Sequence, residues 1–263
     1  MSSFKCDVIL FSRSEETDSE IITTHLRYPR MIHSELMTHR VFSRNARSSR
    51  AVPVSKLLKE DIYTPTFMKN KSGMQASEEF DEETLLEIQC AWKEFAQKTQ
   101  EFSKWLADKG VHKQWANRPT EWFGWIDTLV TSTSWENWFK LRLHIDAMPE
   151  IRYLSALMVE SFYKAEPQVL KKGEWHIPYD SPDLGIEERL KLSVARCARV
   201  SYAPFDGNAS LEKEFQRFEL LRDSDPIHAS PFEHQAKNAT EDDYIRSNLE
   251  KPWLQYRKLI EQK

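Results

Sequence analysis

The chain has 263 residues, 30% of them charged and 40% hydrophobic, with a net charge of −4 and a mean hydropathy of −0.64; it is long enough to bury roughly three quarters of its unfolded surface, and its charge argues against a general nucleic-acid binder. Its six glycines, at 73, 110, 124, 173, 185 and 207, include no pair spaced for a G-x-G-x-x-G turn or a phosphate loop, so any nucleotide or flavin would rest on neither a Rossmann nor a P-loop scaffold. Cys6, Cys90 and Cys197 are odd in number and far apart, which excludes a disulfide framework and points to a reducing cytoplasm, and no apolar run approaches the roughly 18 residues of a membrane span or the core of a signal peptide.

Residues 4–11 and 20–28 read as strands from their branched and aromatic content, with Pro29 closing the second. Ile32, Leu36, Met37 and Val41 fall at helical spacing and predict a helix over 31–41, leading into the polar stretch SRNARSSR. A short helix over 54–60 follows Pro53, and 61–80 reads as a loop. The longest helix is expected from Glu82 to Lys109, with Asp81 as N-cap, Gly110 as stop, and Leu85, Ile88, Trp92, Phe95, Phe102 and Trp105 on one packing face. Five of the nine tryptophans lie within 115–138, as core filling or as a platform for a planar cofactor. Ser134 is expected to cap a helix through Leu141, and Pro149 to start one running to about Ala165. Residues 166–183 read as a linker between an N-terminal part, 1–165, and a C-terminal part, 184–263, that packs into the same domain. Helices over 186–199 and 210–222 precede a polar tail ending in a short basic helix.

The densest chemical signal is a run of six arginines (27, 30, 40, 44, 47 and 50) with no lysine and one carboxylate, Glu35, over residues 27–50. The planar guanidinium fork suits phosphate and carboxylate, so the cluster reads as an anion cradle, against a solvated basic face or a subunit contact. A second cluster, HASPFEH at 228–234, holds two histidines and a glutamate. Its H-x5-H spacing and Pro231 do not place both imidazoles on one helix face, so no metal is expected there.

Together these segments resemble the flavin-dependent thymidylate synthase family. THRVFSRNARSSR (38–50) resembles its R-H-R-x7-S-x-R signature through His39, Arg40, Ser48 and Arg50; HASPFEH resembles its H-x-[ST]-P-F-E-H segment; ARCARVSY (195–202) and NWFKLRLHIDAMPEIR (137–152) resemble two further landmarks. The order differs: the family places the A-R-V-S-Y and H-x-[ST]-P-F-E-H segments before R-H-R, whereas here they follow it. A circular permutation accounts for this and predicts that residues 184–236 return to the N-terminal third. The fold implied is α+β, a mixed sheet with packed helices.

The resemblance also implies a function: methylation of deoxyuridine monophosphate (dUMP) to dTMP with FAD, methylenetetrahydrofolate and NADPH, in a homotetramer with shared active sites. On this basis Ser48, Ser49, Arg50, Arg118, Arg142 and Glu35 match nucleotide-side positions, with Arg142 near the base and Arg50 near the phosphate. His39, Arg40, Asn137, Leu141, Ser230 and Glu233 match flavin-side positions, and His228 the edge of the flavin and folate stack; Arg142, Arg50 and His228 are the catalytic candidates. None of the cysteines has the context of a nucleophile, and the flavin route needs none. The chain departs from the pattern at Thr38 (usually arginine), Ala46 (glutamate), Asp146 (histidine) and Glu35 (glutamine). Glu35 could favour a donor edge such as cytosine N4 or replace the carboxylate lost at Ala46. Alternatives are a hydroxymethylase acting on dUMP or dCMP and a non-catalytic nucleotide- or RNA-binding protein on the same fold.

Overall fold

In the computed structural model, which describes residues 4–73, 76, 78–199 and 210–262, the first two strands, β1 (Lys5–Ser14) and β2 (Glu20–Pro29), form an antiparallel hairpin. The helix expected over 31–41 is one short α1 (His33–Met37) after a 3-10 turn, and it stops at Thr38. Residues 43–46, read as part of a polar stretch, are strand β3 (Ser43–Ala46). α2 (Val54–Leu57) is followed by the expected loop and by α3 (Glu82–Asp108), where Asp81 Oδ1 accepts from the Thr84 N–H as N-cap and Gly110, at φ 81°, ends the helix.

α4 (Lys113–Ala116) leads to a strand that the tryptophan-rich reading missed, β4 (Trp125–Ser132), buried at every position. α5 (Glu136–Arg142) begins two residues after Ser134, whose hydroxyl bonds Glu250 and caps nothing. α6 (Pro149–Lys164) starts at proline as expected. The stretch read as a linker contributes β5 (Gln168–Leu170) and β6 (Trp175–His176). α7 (Ile186–Ala198) and α8 (Leu211–Arg222) match the expected helices, whereas the polar tail holds two more strands, β7 (Ala236–Asn238) and β8 (Trp253–Gln255), before α9 (Tyr256–Ile260).

The main sheet runs β3-β4-β2-β1-β5, antiparallel except for the parallel pairing of β5 with β1, and a smaller sheet runs β6-β7-β8. β4 is buried on both faces because each is covered. Ile126 and Val130 pack with Trp138, Ile151, Leu154 and Met158 of α5 and α6, while Leu129 meets Cys197 of α7. A buried polar seam ties the small sheet to the large one. His176 Nδ1 and Nε2 pair with the hydroxyls of Ser12 (2.7 Å) and Thr23 (2.8 Å), Thr23 with Thr131 (2.7 Å), and Thr131 with His234 Nδ1 (2.9 Å). Burial lowers both histidines to about 3, so both are neutral in the fold.

The apolar face of α3 is less covered than a packing helix requires: Phe95, Phe102 and Trp105 are about half exposed or more. The tryptophans divide likewise, with 125 and 138 in the core and 115 and 122 exposed. Among the described residues no helix is long and apolar enough to cross a membrane.

Candidate active site

The arginine cluster is not a bare cradle, because carboxylates from later in the chain fold onto it. Arg27 pairs with Asp127 at 2.7 Å, Arg47 pairs bidentately with Glu60 (both contacts 2.7 Å), and Arg30 pairs with Glu121 at 3.1 Å. Burial would raise the Asp127 carboxyl, but the hydrogen bond from His25 and the charges of Arg27 and Arg47 outweigh it and hold the group below the ordinary carboxylate range. Arg44 donates Nη1 to the carbonyls of Met37 (2.8 Å), His39 (3.2 Å) and Leu36 (3.5 Å), closing the C-terminal end of α1. Only Arg40 and Arg50 of the six stand exposed with no carboxylate partner among the described residues. Of the six, three are thus paired with carboxylates, Arg44 is spent on backbone carbonyls and two remain open, so a cradle of six free arginines is not what folds.

That α1 turn carries the centre of the site. His39 is buried, stacked on Phe42 and edge-on to Trp138. Burial, then the charges of Arg142 and Arg44, lower its pKa. Arg142, the last residue of α5, reaches back and donates Nε to His39 Nε2 at 3.1 Å, which assigns the imidazole proton to Nδ1. Arg142 Nη1 pairs with Glu35 Oε2 at 3.1 Å. Two residues 107 apart, Arg142 and Glu35, thereby form one ion pair, so Glu35 does not stand free. His39, expected on the flavin side, accepts from Arg142 within the chain.

The C-terminal motif returns to the same edge of the sheet. Asn45 in β3 donates Nδ2 to the Cys197 carbonyl at 2.6 Å, and its Oδ1 accepts from the Ser230 hydroxyl at 3.2 Å. Ser43 accepts from Asn248 and Gln255, and Glu233 pairs with Arg257 while its carbonyl accepts from Gln255 at 3.1 Å. His228 is exposed, with its backbone N–H on Leu221 O at 3.2 Å, and Asn137 and Leu141 are exposed on α5. The end of ARCARVSY, residues 200–202, lies outside the described residues.

Ser49 and Arg118 stand together at a second spot. Ser49 Oγ donates to Glu121 Oε1 at 2.6 Å and Arg118 Nη1 donates to the same carboxylate at 3.1 Å, while Asn117 holds the Ser49 and Val52 carbonyls. Glu121 is the residue that sequence reasoning missed. It gathers Arg30, Arg118 and Ser49, and its only signal is an acid between Thr120 and Trp122 with an arginine three positions earlier.

Two of the three cysteines are poorly set up as nucleophiles. Burial pushes the Cys197 thiol up to about 12 and raises Cys6, and both depart from what a thiolate needs. A Cys6→Ser/Cys90→Ser/Cys197→Ser variant is expected to keep its turnover, with a lower melting temperature from the buried Cys197 change; total loss of activity in a folded variant, judged by circular dichroism, would establish a thiolate route.

With this geometry in place, comparison with known proteins decides the family. The profile described as thymidylate synthase complementing protein matches residues 18–168, more than half of the chain. The chain belongs to the thymidylate synthase complementing protein family. It is therefore a thymidylate synthase-like methyltransferase, an enzyme that transfers a one-carbon unit to a pyrimidine nucleotide. Two solved structures of the UMP/dUMP methylase PolB from Streptomyces cacaoi, bound with 5-Br UMP and with 5-Br dUMP, share the fold at 15% identity. Their TM-scores are 0.52 and 0.53, and they cover 62% of this chain and 90% and 91% of those chains. No curated protein sequence matches.

Proposed function

We propose that this member of the family methylates dUMP to dTMP, using FAD, methylenetetrahydrofolate as carbon donor and NADPH as reductant. The observation that carries the reading is convergence. Segments spread over the chain meet at one edge of the sheet, with Arg142 on His39 at 3.1 Å and Ser230 on Asn45 at 3.2 Å. Matches to short motifs alone would not require their side chains to touch.

The groups present fit a flavin. Arg40 offers an exposed guanidinium for a pyrophosphate, Asn137 an exposed amide for a ring edge, and Leu141 an apolar surface for the ring face. Ser230 and Glu233 would contact it through the lone pairs left free by Asn45 and Arg257. When bound, the flavin would supply the hydride. Arg142 would donate to a uracil carbonyl and stabilise negative charge developing on the ring without losing a proton itself; His39, neutral, fixes its angle, and Arg50 with Ser48 would hold the phosphate. His228, exposed at the rim, would sit beside the folate.

We further read the chain as a circular permutant. Its family match ends at residue 168, before HASPFEH, while that segment packs on β3 as a permuted order requires. Arg40, Arg50, Asn137 and Leu141 lie on the open surface, and among the described residues the cavities beside Tyr63, Trp92 and Tyr256 are lined by other side chains, which supports a site completed by a neighbouring copy in a homotetramer.

The test is the mass of the nucleotide formed from dUMP with FAD, the folate and NADPH. A gain of one methyl group is expected, a hydroxymethyl product would assign the sibling reaction, and unchanged dUMP with no change in FAD fluorescence on mixing would overturn the reading. Arg40→Ala is expected to weaken FAD binding on the order of tenfold, the loss of one charge-assisted contact.

A further inference from the structure

Arg142 spends most of its hydrogen-bonding capacity inside its own chain. Besides Nε on His39 and Nη1 on Glu35, its Nη2 donates to Thr38 Oγ1 at 3.2 Å and to the Glu35 carbonyl at 3.4 Å. A guanidinium has five N–H groups, so a single one, on Nη1, remains. Thr38 can accept because its own proton goes to the Glu35 carbonyl at 2.7 Å. Residues 35 and 38 thus form one clamp: the carboxylate cancels the charge of Arg142, and the hydroxyl adds a neutral hydrogen bond where a cation would compete for that carboxylate. The pair is partly open to solvent, with side chains 19% and 32% exposed, so a ligand can reach it. Arg40 and Arg50 carry no such compensation among the described residues.

We propose that Glu35 is a specificity-determining residue that keeps anions away from Arg142. An anion approaching the guanidinium meets an attraction and a repulsion of similar size, because the two charges stand 3.1 Å apart. It also lacks the two parallel N–H groups that bidentate binding of phosphate or carboxylate needs. This end of the site admits one uncharged acceptor, and phosphate is left to Arg40 and Arg50. The inference rests on the reading above in one respect, that the uncharged acceptor is a carbonyl of the pyrimidine ring.

Calorimetric titration of inorganic phosphate, and in parallel of dUMP, into wild type, Glu35→Gln and Glu35→Gln/Arg142→Gln tests it. Glu35→Gln, which preserves shape, is expected to bind phosphate on the order of tenfold more tightly, since a freed guanidinium contributes one charge-assisted contact. The gain should shrink with added salt and vanish in the double variant. Glu35→Ala provides a second route to the same gain. A purely structural role for Glu35 would loosen the site and move phosphate affinity the other way. Equal or weaker phosphate binding in both Glu35 variants, or a gain that survives in the double variant, overturns the proposal. Failure of wild type to bind dUMP overturns the pyrimidine reading alone, because the phosphate series stands without it.

Discussion

Arg142→Ala is expected to slow turnover of dUMP on the order of tenfold to a hundredfold, the worth of about 1.5 to 3 kcal/mol for a hydrogen bond to a charged group in a partly desolvated site. The loss should fall on kcat, because the remaining N–H of Arg142 is drawn on most when the ring carbonyl it bonds becomes electron-rich. Arg50→Ala should instead raise the nucleotide dissociation constant by a similar factor with little change in kcat, as expected of a phosphate contact. Its side chain is exposed and free of partners among the described residues, so the change should leave the melting temperature in place. Arg44 and Arg47, which fall between the motif positions, look like spectators in the sequence but are unsuitable controls. They hold the end of α1 and Glu60 respectively, and their loss lowers stability. Arg222, partly exposed, paired with the neighbouring Asp223 and set over the Phe218 ring at 5.5 Å, is the better control because it lies outside every motif segment. Steady-state kinetics with calorimetry decides the matter: equal small effects at 50, 142 and 222 would mean a diffuse basic surface and would remove the site assigned here.

The elements legible in the sequence were those whose signals are local. Asp81 and Gly110 bracket α3, Pro149 opens α6, and branched residues mark β1 and β2. β4 was not legible because both its faces are buried, which erases the alternation that marks a half-exposed strand, and its tryptophan-rich flanks drew attention away. β5 and β6 are three and two residues long and exist by pairing with distant strands, so a proline-rich stretch conceals them. The site divides in the same way. His39 and Arg142 were named from motif positions, but that they touch each other, and that Glu35 and Thr38 complete the clamp, follows from α5 packing beside α1. The neutralising acids Asp127, Glu60 and Glu121 lie 13 to 100 residues from their arginines in sequence, a pairing that only the tertiary fold creates. Charge counted over a window of 24 residues therefore overstated the free positive charge.

Acid should unfold this protein early, and the buried seam between the two sheets is the reason. His176 and His234 are neutral in the fold at any pH above about 3, whereas in the unfolded chain they ionise near the ordinary 6.5. A folded-state pKa below the unfolded one means that the unfolded chain binds more protons between these values. The contribution of each histidine is then fully present above pH 6.5 and is lost progressively as pH falls toward 3. Each gives up at most about 1.4 kcal/mol per pH unit, so the pair would remove roughly 4 kcal/mol by pH 5, a large share of the 5 to 15 kcal/mol that holds a typical domain together. Protonation is also poorly accommodated. His176 could keep both nitrogens bonded only if the Ser12 and Thr23 hydroxyls both turned to accept, and His234 Nε2 is buried without a partner among the described residues, so a second N–H there would point at no acceptor. The melting temperature of the wild type, followed from pH 7.5 to 4.5, is expected to fall steeply below 6.5. His176→Gln and His234→Gln each remove one titrating group, and each should flatten that fall whatever they do to stability at pH 7.5. A slope unchanged in both variants would place the acid sensitivity elsewhere, on carboxylates such as Asp127 whose folded pKa is depressed and whose window lies lower.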